Sequence, residues 1–241
     1  MSSEQSDVVK QVAKFVLTAC KDNGRGIRVA IDGRDASGKT TLTNHLANIL
    51  SGSGVHVIRS GIDQWHNRED VRYQKGPLSP MGYYEDSFDL EHLRSELLHP
   101  LGPDGNGEYR LSHFDYRRDA TAIDEIKRAL VPFVLLFDGV FLLRPELLDQ
   151  WDLTIYVDVT PSVSLNRGVE RDSVTMGGRA AATDRYQRRY LPGQALYDDS
   201  VAPRDRAQVV IDNNDFNLPV ITKMPNAAKT YSAQGSKDHA D

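Results

Sequence analysis

Residues Gly33 to Thr41 read G-R-D-A-S-G-K-T-T, and this stretch decides how the rest of the chain is read. It fits the phosphate-loop pattern G-x-x-x-x-G-K-[ST], with Gly33, Gly38, Lys39 and Thr40 in the defining places. The flanks fit as well. Ile27 to Ile31 is a short β-branched run whose only polar residue is Arg28, which predicts a strand. After the loop, Leu42, Leu46, Ile49 and Leu50 recur at helical spacing, and Gly52 and Gly54 close that segment. Strand, glycine loop and helix start is the order that phosphate binding needs. Glycines let backbone N–H groups curl around phosphate oxygens, and the helix N-terminus adds a favourable dipole. The loop set is therefore Gly33, Asp35, Ala36, Ser37, Gly38, Lys39, Thr40 and Thr41. Within it, Lys39 reaches the β- and γ-phosphates and the Thr40 hydroxyl faces Mg²⁺. A glycine turn that binds nothing would not need all four defining positions filled.

Composition sets the outer bounds. The chain has 241 residues, 39% hydrophobic and 26% charged, enough for a full core. A net charge of −5 argues against general binding to nucleic acid or an anionic membrane. Cys20 is the single cysteine, so there is no intrachain disulfide and no multi-cysteine metal site. No apolar run approaches the ~20 residues of a membrane span, and Met1 to Lys10 lacks a signal peptide's apolar core. Together these features point to a cytoplasmic protein. They do not exclude a homo-oligomer.

Working outward, Val8, Val9, Val12, Phe15 and Val16 make a helical stripe over residues 1–26 that packs on the main domain. Val55 to Ile58 reads as a second strand. Asn67 to Asp86 reads as a long loop, and long ordered loops are often functional. A helix follows with Asp89 as its cap and Leu90, Leu93, Leu97 and Leu98 on its apolar side. Glu108 to Tyr116 suggests a strand or hairpin. Val131 to Leu143 is the most apolar run of the chain, suited to a strand buried on both faces. Leu153 to Val159 is another such strand, and Pro161 starts a helix. A last helix is expected over Ala182 to Tyr190, stopped by Pro192, with Gln208 to Ile211 as the final strand. Residues 224–241 are polar and aperiodic and read as a disordered tail. Strands alternating with helices imply a parallel α/β sheet covered on both faces, in one domain over residues 27–223.

Candidate chemistry gathers at strand ends. Asp138 closes the apolar run and is placed to hold Mg²⁺, directly or through water. Asp63 follows the second strand and could take the proton of an acceptor hydroxyl. Arg171 and Arg179 lie on a charged, glycine-interrupted segment suited to a lid that supplies positive charge and excludes water. A turn aspartate at 138, a loop carboxylate at 63 and a solvated arginine face are the plainer readings of these residues.

The loop, I-D-Q-W-H, S-F-D, F-D-Y, F-D-G-V-F, Y-V-D-V, R-x-x-x-R-D and V-V-I-D-N occur in this order. In that order the chain resembles the uridine kinase family, which belongs with phosphoribulokinase and pantothenate kinase among P-loop kinases of small metabolites. The resemblance covers about Ile27 to Asn213. It implies a P-loop NTPase fold, a three-layer αβα sandwich with a mostly parallel central sheet and a helical lid, using ATP and Mg²⁺. It implies Asp63 as catalytic base with Trp65 and His66 in the aromatic places. Phe88 and Asp89 match the pair that holds the nucleoside, and Phe114-Asp115-Tyr116 matches the family's Y-D-F. Tyr84 and Arg117 complete the acceptor-side set, and Asp138 stands for the family's metal-linked glutamate. Three departures fall mostly on the acceptor side. Asp138 is shorter than glutamate. Arg117, Arg118 and Asp119 stand where a base-contacting histidine is expected, and Gly168 replaces a substrate-binding arginine. Kinase chemistry is thus better supported than uridine specificity, and Arg117 with Arg118 suits an acceptor that already carries phosphate.

Two classes of function remain. One is an ATP-dependent kinase of a small-molecule acceptor, either a nucleoside kinase or a kinase of a sugar phosphate or vitamin alcohol. The other is a non-catalytic ATP-binding regulatory module. The N-K-x-D motif of guanine switches and the L-S-G-G-Q signature of transporter ATPases are both absent from the sequence.

Overall fold

The computed structural model describes residues 2–122 and 124–225. Its centre is a six-stranded sheet in the order β10 (Val220–Lys223), β9 (Val209–Asp212), β8 (Leu153–Asp158), β1 (Gly26–Gly33), β7 (Phe133–Gly139), β2 (His56–Gly61), parallel throughout except that β10 runs antiparallel to β9. The chain enters through α1 (Ser3–Asn23), β1 (Gly26–Gly33), α2 (Lys39–Ser51) and β2 (His56–Gly61), with a tight 3₁₀ turn at Ile62–Trp65. Short helices α3 (Glu69–Arg72), α4 (Pro80–Asp86) and α5 (Leu90–Leu93) follow. Four two-residue strands come next: β3 (Glu108–Tyr109), β4 (Phe114–Asp115), β5 (Ala120–Thr121) and β6 (Lys127–Arg128). The sheet resumes with β7 (Phe133–Gly139), α6 (Pro145–Leu148) and β8 (Leu153–Asp158). The lid region holds α7 (Pro161–Asp172), α8 (Arg179–Arg185) and α9 (Leu191–Val201), and α10 (Pro203–Arg206), β9 (Val209–Asp212) and β10 (Val220–Lys223) close the chain.

Alternation along the central strands builds two cores. Val29, Ile31, Val134, Leu136 and Ile155 point to one face and pack with Val12, Val16, Leu46 and Leu50 from α1 and α2. Ala30, Leu135 and Phe137 point to the other, against Trp65, Leu93, Leu97 and Phe141. Because successive strand side chains take opposite faces, apolar strands with helices on both sides make a three-layer α/β fold. Helix α1 is held at its start by a capping box between Ser2 and Gln5, and its side chains also bond the carbonyls of Asn217 and Phe216. Each fully buried Val or Phe side chain on it contributes roughly 1.5–3 kcal/mol. Arg28, the one cation inside β1, is paired to Asp152 at 3.0 Å and donates to the Leu98 carbonyl.

Several sequence expectations need correction. The segment 67–86 is not one loop: α3 and α4 lie within it, and Ser79 caps α4 by accepting from the Gly82 N–H at 3.0 Å. Glu108 to Tyr116 is not a single strand or hairpin either, because β3 pairs with β6 and β4 with β5. Pro192 does not end the helical path. Tyr186–Tyr190 widens into a π-turn, with the Leu191 N–H bonded to the Tyr186 carbonyl five residues back. An α-turn would set the proline ring against the carbonyl four residues earlier; the wider turn avoids this clash, and α9 continues. The same device precedes Pro100, where Arg94–Leu98 is a π-turn closed by His99 N–H on the Arg94 carbonyl. Strand β9 is not the last, since β10 adds to the sheet edge. The tail expectation falls mainly on residues 226–241, outside the described residues. No helix among the described residues is long and apolar enough to cross a membrane.

Candidate active site

The phosphate loop sits at the carboxyl end of β1, where open α/β sheets bind ligands. Lys39, the first residue of α2, curls back so that its ammonium donates to the carbonyls of Gly33 (2.9 Å) and Arg34 (2.7 Å). Burial pushes this ammonium below its ordinary range, while Asp35, Asp32 and Asp138 pull it back up. Two glycines are required by close approach. A Cβ on Gly33 would lie 2.4 Å from the Val157 carbonyl, and one on Gly38 would lie 2.6 Å from the Asn213 amide nitrogen. That amide donates to the Ser37 carbonyl at 2.6 Å, and Ser164 Oγ donates to the Asp35 carbonyl at 2.7 Å.

Helix α9 fastens the loop from the other side. Tyr197 donates to Asp32 at 2.5 Å, Gln194 donates to Asp35 at 2.5 Å, and Asp198 pairs with Arg34. Burial raises the carboxyls of Asp32 and Asp35, and it lifts Asp198 to about 6 against the opposing pull of Arg34. Sequence reading missed this clasp. The partners lie more than 150 positions apart, so no local spacing could reveal it.

Strand register brings the remaining acids in. Ile31 of β1 pairs with Asp138 of β7, and Asp138 also pairs with Gly61 at the end of β2. Asp138 therefore ends beside the loop, where its Oδ2 accepts from the Thr40 hydroxyl at 2.6 Å. Two hard oxygen donors this close suit a magnesium ion that keeps several waters. Asp63, two residues beyond β2, is exposed in the 3₁₀ turn, and its carboxylate makes no hydrogen bond or ion pair among the described residues.

Lys39, Thr40, Asp138 and Asp63 all line one cavity of about 1300 Å³, together with Asp35 and Ala36 of the loop. Of the expected acceptor-side residues, His66, Phe88, Tyr116 and Arg117 also line it. The His66 ring lies 4.7 Å from Phe88 and 5.1 Å from Tyr116. Burial holds the His66 imidazole below its ordinary range, against the pull of Asp63. Arg171 reaches the cavity while bound to Asp172 at 2.7 and 2.9 Å. That pairing raises its already high pKa.

Gly33, Ser37, Gly38 and Thr41 belong to the loop without lining the cavity, and five of the expected acceptor-side and lid residues lie elsewhere. Trp65 is fully buried and donates to Ser60 at 3.2 Å. Tyr84 packs under Arg144, whose guanidinium carbon lies 4.8 Å from its ring centroid. Phe114 is in the core, Arg179 is an exposed residue opening α8, and Asp89 caps α5 by accepting from the His92 N–H at 3.0 Å. None of the five lines the cavity. In their place the structure supplies Tyr73, Tyr83, Arg185, Tyr186, Arg189 and Tyr190, contributed by the 67–86 segment and the lid. Arg189 lies 4.9 Å from the Tyr73 ring and 5.5 Å from Tyr83. The sequence signal for this wall was R-Y-Q-R-R-Y at 185–190, a run that reads equally as a solvated helix face. Gly168 is explained by the same wall, because a Cβ there would sit 2.2 Å from the Tyr186 ring. Tyr186 fills the space that a side chain at 168 would need, and its hydroxyl donates to Asp172 at 2.8 Å.

Comparison with known proteins fits this arrangement. A family model described as the phosphoribulokinase / uridine kinase family matches residues 28–214. The uridine kinase of Limosilactobacillus reuteri (strain DSM 20016) is 24% identical over 204 residues, covering 83% of this chain and 89% of that protein. Among solved structures, a possible uridine kinase from Bacillus stearothermophilus aligns with a TM-score of 0.61 at 23% identity, over 83% of this chain and 98% of that one. A proposed fructose transport system kinase from Silicibacter sp. TM1040 aligns with a TM-score of 0.63 at 25% identity, over 78% and 93%.

Proposed function

Since the chain belongs to the phosphoribulokinase / uridine kinase family of P-loop kinases, we propose that it transfers the γ-phosphoryl group of ATP to a small-molecule hydroxyl. The simplest acceptor is a nucleoside such as uridine, converted to its 5′-monophosphate. One observation carries the reading. A phosphate loop with its lysine, a paired hydroxyl and carboxylate, and a free carboxylate share one cavity.

Phosphoryl transfer asks the protein mainly for position and charge. Lys39 and the open amides of the first turn of α2 hold the phosphates. Thr40 and Asp138 hold Mg²⁺, which neutralises phosphate charge when bound. Asp63 accepts the proton of the acceptor hydroxyl, and its lack of a competing partner leaves both oxygens available. Arg171 adds positive charge from the lid, and the tyrosines beside it exclude water. His66, Phe88 and Tyr116 supply flat surfaces for a planar ring.

A second acceptor class keeps the same chemistry. Asp89, the family's expected ribose carboxylate, is bonded to His92 and does not line the cavity, while Arg59 and Arg117 do. That exchange favours an acceptor carrying its own phosphate, such as a sugar phosphate. The test is an acceptor panel with ATP and Mg²⁺, covering nucleosides, sugars, sugar phosphates and vitamin alcohols, read as ADP formed and product mass. Asp63→Asn should lower kcat by roughly 10²- to 10⁴-fold, and full activity in that variant would remove Asp63 as the base. Tight ATP binding by calorimetry with no acceptor turned over would favour the regulatory module instead.

A further inference from the structure

Away from the cavity, three metal-ligand side chains converge where α5 meets the loop leading into β4. One ligand-capable atom from each of His92, Glu96 and His113 lies within 4.8 Å of the others, and all three residues are half-buried. None of them lines the proposed kinase site. His92 and Glu96 are four residues apart along one continuous helical path, so they share a face. His113 is brought across by main-chain bonds. Its N–H donates to the Gln64 carbonyl at 3.1 Å, its carbonyl accepts from Ala122 at 3.0 Å, and Arg110 N–H donates to the Glu96 carbonyl at 3.0 Å.

The spacing suits an ion. His113 Nδ1 and Glu96 Oε2 are 3.2 Å apart. Two ligands on a tetrahedral ion with bonds of about 2.0–2.1 Å stand roughly 3.3 Å apart, so this pair already has ligand separation. The His92 and His113 rings are stacked with centroids 3.9 Å apart, so half-buried His92 must swing out of the stack for its in-plane lone pair to meet the same ion. Asp89 Oδ2 contacts His92 Nδ1 at 2.7 Å, the kind of carboxylate–histidine contact that orients a metal-binding imidazole. Hydrogen bonding satisfies these groups only pairwise, Asp89 with His92 and Glu96 with His113. A shared cation would engage both rings and the glutamate together.

We propose that His92, Glu96 and His113 bind a borderline divalent cation of the Zn²⁺ or Co²⁺ class, with Asp89 as the residue that positions His92. Two imidazoles and a carboxylate select such an ion over Mg²⁺, which prefers oxygen alone. Solvent completes the coordination on the exposed side. The ion would staple α5 to the chain entering the β4–β5 hairpin. Tyr116 and Arg117, three and four residues beyond His113, line the cavity, so the staple would steady the acceptor wall. The site stands on its own geometry and does not depend on the kinase reading.

The experiment uses the full chain freed of metal with a chelator and held in excess Mg²⁺. Co²⁺ is titrated in and followed by its visible d–d absorption, and Zn²⁺ is then added as competitor. The expected result is uptake of one equivalent of Co²⁺ with the intense bands of low coordination number, loss of those bands on adding Zn²⁺, and a higher thermal midpoint with either ion. The double variant His92→Asn, His113→Asn should lose this uptake, and Asp89→Asn should weaken it by about 10- to 100-fold. Absence of the bands in the wild-type chain would overturn the proposal, as would unchanged uptake in a folded double variant. Should circular dichroism show the double variant unfolded, Glu96→Gln decides: a folded Glu96→Gln chain with wild-type affinity also overturns it.

Discussion

The proposed donor and acceptor walls of the cavity are assembled by different means. On the donor wall, the key contacts run between near neighbours: Lys39 to the carbonyls of Gly33 and Arg34, with Thr40 beside it. On the acceptor wall, His66, Phe88, Tyr116 and Arg171 come from four separate segments and meet only through the fold. The loop of the first wall takes its turn from a short sequence, and α9 and Asn213 then fasten it from a distance. The second is a product of packing, and it can be re-lined without disturbing the first. Reaction type should therefore follow the donor wall, and substrate choice the acceptor wall.

The sharpest way to break this division is Lys39→Ala. Removing a charge that acts on the transferring group should lower kcat by roughly 10²- to 10³-fold, with the acceptor KM little changed. Steady-state kinetics that show the loss mainly in acceptor KM would mean the walls are not separable. A smaller effect tests the acceptor side. Gly168→Ala forces a Cβ into the buried Tyr186 ring and should destabilise the chain by about 1–3 kcal/mol, read by urea unfolding. It should also disturb Arg171, which contacts the Tyr186 hydroxyl at 3.3 Å. A neutral result would show that α7 and the lid turn shift apart freely.

The smallest expected effect concerns the clasp between α9 and the loop. Burial raises Asp198 from 3.8 to about 6, so the folded protein binds this proton more tightly than the unfolded chain. The stability it confers is fully present below about pH 4 and is lost as pH rises through about 6. Asp198→Asn stays uncharged at every pH. Relative to the wild type it should therefore gain about 1–2 kcal/mol between about pH 4 and pH 8, taking about 1.4 kcal/mol per unit and discounting for partial exposure. Thermal midpoints of both proteins across that range check the sign. A relative loss at high pH would mean that the Arg34 ion pair outweighs the burial cost.

Which features could be read in advance follows the same local–distant division. The phosphate loop, the central strands and the start of α7 depend on nearest neighbours: glycine freedom, apolar alternation, and the Thr160 hydroxyl accepting from Val163 N–H ahead of Pro161. The positions of Asp63 just past β2 and of Asp138 near the end of β7 were legible because strand ends are predictable places. Trp65 was not, because a 3₁₀ turn separates it from Asp63 by about two-thirds of a turn and only packing says which of the two faces the core. Pro192 misled because a π-turn, unlike an α-turn, accepts a proline just beyond it. Strand β10 is half exposed, with Val220 at 56%, and carries little of the alternation that marks buried strands.

The clasp from α9 also bears on modularity. A fragment ending before Gln194 would contain the whole nine-residue motif and its flanking strand and helix. It would still lack Tyr197, Asp198 and Gln194, the α9 partners of Asp32, Arg34 and Asp35, and with them the amide of Asn213 beneath Gly38. Such a piece would take one donor from each of two buried carboxyls, Tyr197 from Asp32 and Gln194 from Asp35, leaving Asp32 with the Gly33 and Leu143 N–H groups and Asp35 with the Tyr83 hydroxyl. The motif is therefore not a portable cassette in this chain, and grafting it elsewhere would require carrying α9 along.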